Sequence, residues 1–403
     1  MTTATVPLDE VLKAHATADF AHGRIADIEV LRAIAILFVL VEHARINLYP
    51  WIWGKESWLY VYFGFWNGVD LFLAISGFVI ARSLLPTLQS AKNSAEFLNA
   101  TLAFWVRRIW RLLPSAWLWL AIILVCAAWF NRSYAFWGFR ANFEAAVAAI
   151  LDVANFRVVA IFGKQEPGAA FPYWSLSLEE QFYLLLPLVV FASRRRLPYL
   201  LISVAAAQLF IDRSGPIYHH RILLLLNQIR SDALCLGVLI ALWSRHPTYR
   251  LFEPTGLRNR PWLGVTMLSF LVLLLAAVGS PELHILSWRF GLVALISAVM
   301  VLIASYDRNY LFPDGSVKRI LLWIGTRSYG LYLVHIPVYF GTHEIWFRLA
   351  PPGTAFSGVY FLRFTVTAAV LLVTLTELNY RFVEIPLRRR GARIAENLAL
   401  RPA

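Results

Sequence analysis

The chain has 403 residues, of which 59% are hydrophobic and only 15% charged. A soluble globular protein carries about a quarter charged residues, so the composition excludes an ordinary water-soluble enzyme and calls for a membrane protein. The net charge of +13 does not point to nucleic acid, because Lys and Arg fall in short clusters between apolar runs rather than on one basic face. The 16 Trp and 16 Tyr residues suit the two bilayer interfaces, where amphipathic rings gather. Cys126 and Cys235 sit within apolar runs, so no disulfide framework is expected. Residues 1–24 mix Asp9, Glu10, Lys13 and Asp19 without an apolar core, which reads as a polar tail rather than a signal peptide.

A membrane-crossing helix needs roughly 20 mainly apolar residues. In chain order the stretches that meet or approach this are 27–46, 62–82, 112–130, 174–193, 198–212, 230–244, 262–279, 287–305, 320–340 and 358–378. The fold expected is therefore an all-α integral membrane protein of about ten spans. A further stretch, 143–161, holds Asp152, Asn155 and Arg157 and is expected to lie along the interface. The tail, the connections 82–111, 193–197, 244–261 and 306–319, and the C-terminal segment hold roughly two-thirds of the 37 Lys and Arg residues. The positive-inside rule then puts both termini in the cytoplasm. The expected division is a tail over 1–24, one membrane domain over 25–389 and a C-terminal tail over 390–403. No 20–50-residue repeat is evident.

Ionisable groups inside a span are costly and each is a functional candidate. In the first span Arg32 and His43 are 11 residues apart, close to three turns, so they share a face about 16 Å apart along the axis. Glu29, one turn before Arg32, can pair with it, while Glu42 points to another side. The second span, FGFWNGVDLFLAISGFVIAR, places Asp70 mid-helix, with Ser76 and Gly77 permitting close helix contact. Asp70 could orient His43, neutralise Arg32 or join two helices. In FWVRRIWRLLP, Arg108 and Arg111 lie one turn apart at the start of a span. Paired guanidinium forks suit a polyphosphate, and positive-inside anchoring explains them equally.

FPYWSLSLEEQFYLLLP gathers Tyr173, Trp174, Glu179, Glu180 and Tyr183. The two carboxylates near a helix start fit the dipole, and with the flanking rings they also fit a sugar-binding mouth. IRSDALCLG sets Arg230 and Asp232 at a helix start, and in IGTRSYGLYLVHIP the residues Ser328, Tyr329, Tyr332 and His335 form one stripe. A backbone carbonyl alone could also satisfy His335.

Seven blocks in order, EVLRAIAILFVLVEHA, GVDLFLAISGFVIARSL, RRIWRLLP, YWSLSLEEQFYLLLPL, RSDALCLGVLIA, IGTRSYGLYLVHIPV and YRFVEIPLRR, span residues 28–389. Together they resemble the acyltransferase 3 family of integral membrane O-acyltransferases, of the exopolysaccharide or O-antigen type. The resemblance implies about ten membrane helices that move an acyl group, usually acetyl, from cytoplasmic acyl-coenzyme A to a hydroxyl of a lipid-linked or exported glycan. It also implies functional roles for Arg32 and His43, coenzyme A binding by Arg108 and Arg111, and a functional glutamate at Glu179 beside Glu180. Two residues depart from the family pattern: Glu29 stands where Asp is common, and Glu42 where an apolar or aromatic residue is frequent. Many members carry a fused esterase-like domain. This sequence shows none, so the expectation is that it completes the transfer itself or passes the acyl group to a separate protein.

The expected mechanism uses His43 as general base, or as a transient acyl carrier, since imidazole titrates near operating pH. A carboxylate would hold its other nitrogen, with Glu179 first in line and Asp70 second. Arg32, Arg108, Arg111 and Ser328 are assigned to the donor, and Tyr173, Trp174, Glu180, Tyr183, Tyr332 and His335 to the acceptor. No metal and no permanently bound cofactor is expected, and the oligomeric state is open. Two rival readings are acylation of a small-molecule sugar of the macrolide type and a proton-coupled transporter of glycans or anions.

Overall fold

The structure, a computed structural model, describes residues 24–52, 58–209, 211, 221–280 and 288–399. The tail expected over 1–24 lies outside these residues except for Arg24, as do residues 210 and 212 of the 198–212 run, residue 287 and the segment 400–403. The first helices are α1 (Ala26–Asn47), α2 (Trp58–Tyr62), α3 (Gly68–Ser90), α4 (Ser94–Trp129), α5 (Phe139–Ile150) and α6 (Ala154–Ile161). They are followed by α7 (Tyr173–Ser193), α8 (Leu197–Leu209), α9 (Arg221–Gln228), α10 (Asp232–Trp243) and α11 (Pro261–Val278). The last are α12 (Arg289–Ser305), α13 (Ser316–Thr326), α14 (Ser328–Leu349), α15 (Phe361–Asn379) and α16 (Ile385–Ala399). Among the described residues there is no strand, and the chain is an all-α membrane protein.

By length and composition six helical stretches among the described residues can cross a membrane, and α12 is a shorter apolar helix. Helices α1 and α14 are 22 residues each, about 33 Å long and so enough for a hydrocarbon core of about 30 Å. Both carry ionisable residues buried inside the bundle, Glu29 on α1 and His335 and Glu344 on α14 among them. The stretch 143–161 is two helices of 12 and 8 residues, broken where Asp152 takes φ of 61°. At 1.5 Å per residue neither is long enough to cross.

The core is built on close helix contacts made possible by small residues. Gly77 of α3 faces the backbone of Leu234, and Gly237 of α10 faces the backbone of Ala74, so a Cβ at either site would collide with the other helix. Small residues let membrane helices approach this closely, and Leu71, Leu73, Ile75 and Phe78 are then fully enclosed.

Helix α4 is longer than its apolar part. Its 36 residues make about 54 Å, well beyond the bilayer core, so the segment expected as a connection up to 111 is helical from Ser94. The start is a reciprocal cap: the Asn93 side chain accepts from the Glu96 amide at 2.8 Å, and Glu96 accepts from the Lys92 amide at 2.8 Å. The overhanging turns pack against α16, where Gly391 leaves room for the Trp110 side chain. Helix α16 thus runs through residue 390, where the C-terminal tail was expected to begin. Between α15 and α16 the chain makes a π turn over Tyr380–Glu384. Pro386 follows it and lacks the amide needed to continue the ordinary ladder.

Candidate active site

A cavity of about 750 Å³, counting its open mouth, is walled by α1, α3, α4, α7 and α14. Its polar wall holds Arg32, Arg108, Arg111, Glu179, Tyr183 and Ser328, and its apolar wall includes Val69, Phe72, Leu73 and Val79. A smaller hollow of about 380 Å³ shares Arg32, Arg111, Ser328 and Tyr329 with it and extends to Arg24, Glu384 and Arg388 at the α16 end. Four residues assigned to the donor from sequence therefore meet at one place.

The charges there are unevenly matched. Arg32 pairs with Glu29 at 2.6 Å, as its spacing predicts. Arg108 lies over the rings of Phe104 and Tyr183, at 5.6 and 5.2 Å. Among the described residues neither Arg108 nor Arg111 forms an ion pair. Glu384, brought to the hollow by the π turn, accepts from the Asn379 amide at 2.7 Å.

Glu179 belongs to this cavity and not to His43. The hydroxyls of Ser76 and Tyr183 both donate to it, and these two oxygens lie 2.7 Å apart. The expectation that Glu179 holds the second nitrogen of His43 is thus corrected: its carboxylate is held by Ser76 of α3 and by Tyr183 of its own helix α7, whereas His43 sits nearer the far end of α1. Asp70 is not the holder either. It pairs with Arg230 at 3.0 Å, with both side chains almost fully buried. Arg230 in turn lies over Trp66, Trp174 and Phe290 at 5.3–5.8 Å.

One face of the Trp174 ring, assigned to the acceptor from sequence, lies against the Arg230 guanidinium. Tyr173 is buried, and its hydroxyl donates to the Ala116 carbonyl at 3.0 Å, which makes it a tie between α7 and α4. Glu180 turns away from Glu179 by one helical step and shares a separate small hollow with Asp152 and Tyr173. Tyr183 lines the same cavity as Arg32, Arg108 and Arg111.

The partner of His43 is His335. Their rings stack with centroids 4.9 Å apart, and His43 Nδ1 lies 2.9 Å from His335 Nε2. His335, fully buried, has its Nδ1 2.7 Å from the Tyr332 carbonyl. Phe171 packs edge-on against His43 at 5.3 Å. The face of α1 that Arg32 and His43 share is divided, because Arg32 lines the cavity and His43 does not. Tyr332 closes the cavity at that point. Its hydroxyl donates to the Pro172 carbonyl at 2.9 Å and meets the Ser175 hydroxyl at 2.6 Å. Its ring lies 5.6 Å from that of His335.

The family model described as an acyltransferase domain matches residues 25–376 of this chain. The chain belongs to the acyltransferase 3 family. Relatives of this acyltransferase 3 protein include the peptidoglycan O-acetyltransferase OatA of Listeria monocytogenes, 27% identical over 93% of this chain and 57% of the relative. The O-acetyltransferase OatA of Staphylococcus aureus is 27% identical over 90% of this chain and 57% of its own length. This family member thus spans a little over half the length of the curated relatives it matches. No solved structure matches it.

Several residues lining the two hollows carried no site assignment from sequence: Ser76, Ser175, Arg24, Thr326, Glu384 and Arg388. Arg388 and Glu384 lie in the YRFVEIPLRR block, where a proline after a carboxylate in an otherwise helical run is the readable hint of a kink. Ser76 is read from sequence only as allowing close helix contact, and neither it nor Ser175 points to a site, because a hydroxyl in an apolar helix usually returns to its own backbone.

Proposed function

We propose that this acyltransferase 3 protein moves an acyl group, most often acetyl, from acyl-coenzyme A to a hydroxyl of a glycan presented at the opposite end of the bundle. The observation that carries this reading is the Arg108–Arg111 pair, two guanidinium groups without ion partners among the described residues on the wall of a cavity between five helices. Cations taken from water without partners cost several kcal/mol each, so such a wall is built for a polyanion, and guanidinium forks match phosphate oxygens in pairs. The first turn of α14 at Ser328 adds backbone amides with no partner inside the helix. The apolar strip of Val69, Phe72 and Leu73 suits the thioester-bearing arm, whose end would then lie toward Tyr332. The positive-inside rule puts the arginine mouth in the cytoplasm, where acyl-coenzyme A is made. The relatives named for O-acetylation of peptidoglycan support a glycan hydroxyl as acceptor.

In the reaction the acceptor oxygen bonds to the thioester carbonyl carbon and the carbon–sulfur bond breaks. The hydroxyl proton passes to His43 and from there to the departing sulfur, giving the ester and coenzyme A. Tyr332 and its hydroxyl bonds separate the cavity from the histidine pair, so base and thioester meet when that layer opens. Tyr332→Phe removes both hydroxyl bonds and is expected to raise hydrolysis of acetyl-coenzyme A without acceptor, measured as free thiol release. An unchanged background rate would mean that Tyr332 does not divide donor from base.

Arg111→Ala tests the donor site. Losing a hydrogen bond to a charged group removes about 1.5–3 kcal/mol, which is about a 10- to 100-fold weaker Kd for coenzyme A by calorimetry, with glycan binding unchanged. Equal weakening of both would mark an anchoring role. The reading as a whole is tested with protein in liposomes, radiolabelled acetyl-coenzyme A and an oligosaccharide acceptor: label should appear in the glycan as ester. Glycan or anion moved across the bilayer without consumption of thioester would instead mark a transporter.

A further inference from the structure

We propose that His335 is a positioning residue that fixes the tautomer of His43 and so decides which of its nitrogens is the base. The proposal rests on His43 acting as the base, as above. The assignment follows from the contacts one atom at a time. A carbonyl oxygen only accepts, so the 2.7 Å contact between His335 Nδ1 and the Tyr332 carbonyl puts a proton on Nδ1. With His335 neutral, its Nε2 then carries a lone pair. That lone pair lies 2.9 Å from His43 Nδ1, so His43 Nδ1 is the protonated nitrogen and donates. His43 Nε2 is left with its lone pair free, takes no hydrogen bond from the described residues, and belongs to a side chain that is half-buried rather than sealed.

The order of the chain matters chemically. In hydrolytic triads a carboxylate on the second nitrogen orients the ring and stabilises the cation formed when the base takes a proton. Here a second imidazole, anchored to a main-chain carbonyl, performs the orienting part with no net charge. That suits a half-buried base packed beside apolar rings, where an unpaired carboxylate would cost more than a neutral ring. The anchor also explains why His335 is fully enclosed: rotation of its ring would break one contact or the other. When His43 Nε2 receives the hydroxyl proton, the Nδ1–H to Nε2 bond becomes charge-assisted and shortens, as hydrogen bonds to ionised donors do. The proton leaves again through the same nitrogen to the departing sulfur, so His335 gains and loses none.

Two near-isosteres separate this role from packing. In His335→Gln the amide oxygen can stand where Nε2 stands and still accept from His43. In His335→Asn the amide nitrogen stands where Nδ1 stands, which keeps the bond to the Tyr332 carbonyl and removes the acceptor facing His43. Expected are most of the wild-type kcat in His335→Gln, and a fall of about 10- to 100-fold in His335→Asn, as for other supporting residues, with the KM for acetyl-coenzyme A unchanged in both. Equal activity in the two, or a folded but inactive His335→Gln, would overturn the proposal. Should His335→Asn fail to yield folded protein, His335→Met, which also lacks a strong acceptor, takes its place with the same expected loss. The outcome is read beside His43→Ala: full activity in His43→Ala would remove the base itself, whereas loss in His43→Ala with Gln and Asn equal removes only the relay.

Discussion

His43→Ala is expected to cut kcat for acyl transfer by about 10²–10⁴, the usual share of general-base assistance, while yield and thermal stability of the purified protein stay near normal. The His43 side chain makes one side-chain hydrogen bond, to His335, and packs on Phe171. Its removal therefore takes little from the fold. Coenzyme A binding should also persist, because the arginines lie on the cavity wall and His43 does not. The measurement is a time course of labelled ester formed at saturating donor. A variant that retains more than a third of wild-type turnover would place the base elsewhere.

The second large effect is on stability. Asp70 and Arg230 form a buried ion pair 3.0 Å apart, each with 6% or less of its side chain exposed. Removing one partner of such a pair strands the other and costs about 3–5 kcal/mol. Arg230 has no other carboxylate among its described contacts, and the three rings around it shield it from water. Asp70→Leu should therefore lower the thermal midpoint in detergent sharply. The double variant Asp70→Leu with Arg230→Met should recover most of the loss, since an apolar pair of similar volume needs no charge partner. Through Trp174 the pair also braces the first turn of α7, about one and a half turns before Glu179, so Asp70→Leu is expected to weaken donor binding as a consequence of instability. A double variant as unstable as the single one would show that the two residues do not depend on each other.

Much of this arrangement can be read in the sequence where the relevant residues are near neighbours. The Glu29–Arg32 pair follows from three-residue spacing, and the contact at Gly77 follows from a small residue in an apolar helix. The Asn93–Glu96 cap is equally local and marks the true start of α4. It is easily passed over because hydropathy, which locates spans, is blind to a polar overhang stabilised by another helix. Partners that lie far apart in the chain are different. His43 and His335 are separated by 292 positions, and periodicity places each on a stripe without saying which stripes meet. The same limit leads Glu179 and Asp70 to be matched with His43: both are plausible carboxylates by type, and only the packing of α3 and α7 sends them to Ser76 and Tyr183 in one case and to Arg230 in the other. Glu179 and Glu180, adjacent in sequence, reach different hollows because one helical step turns them about 100° apart.

The account rests on the arginine-lined cavity being the donor site, with the thioester end held against Tyr332. The most direct measurement is an experimental structure of the purified protein with an unreactive thioether analogue of acetyl-coenzyme A. The account predicts phosphates in contact with Arg108 and Arg111 and the acyl end beside Tyr332 and Ser175, one ring layer from His335. An analogue bound outside that cavity, or with its phosphates away from both arginines, would contradict it.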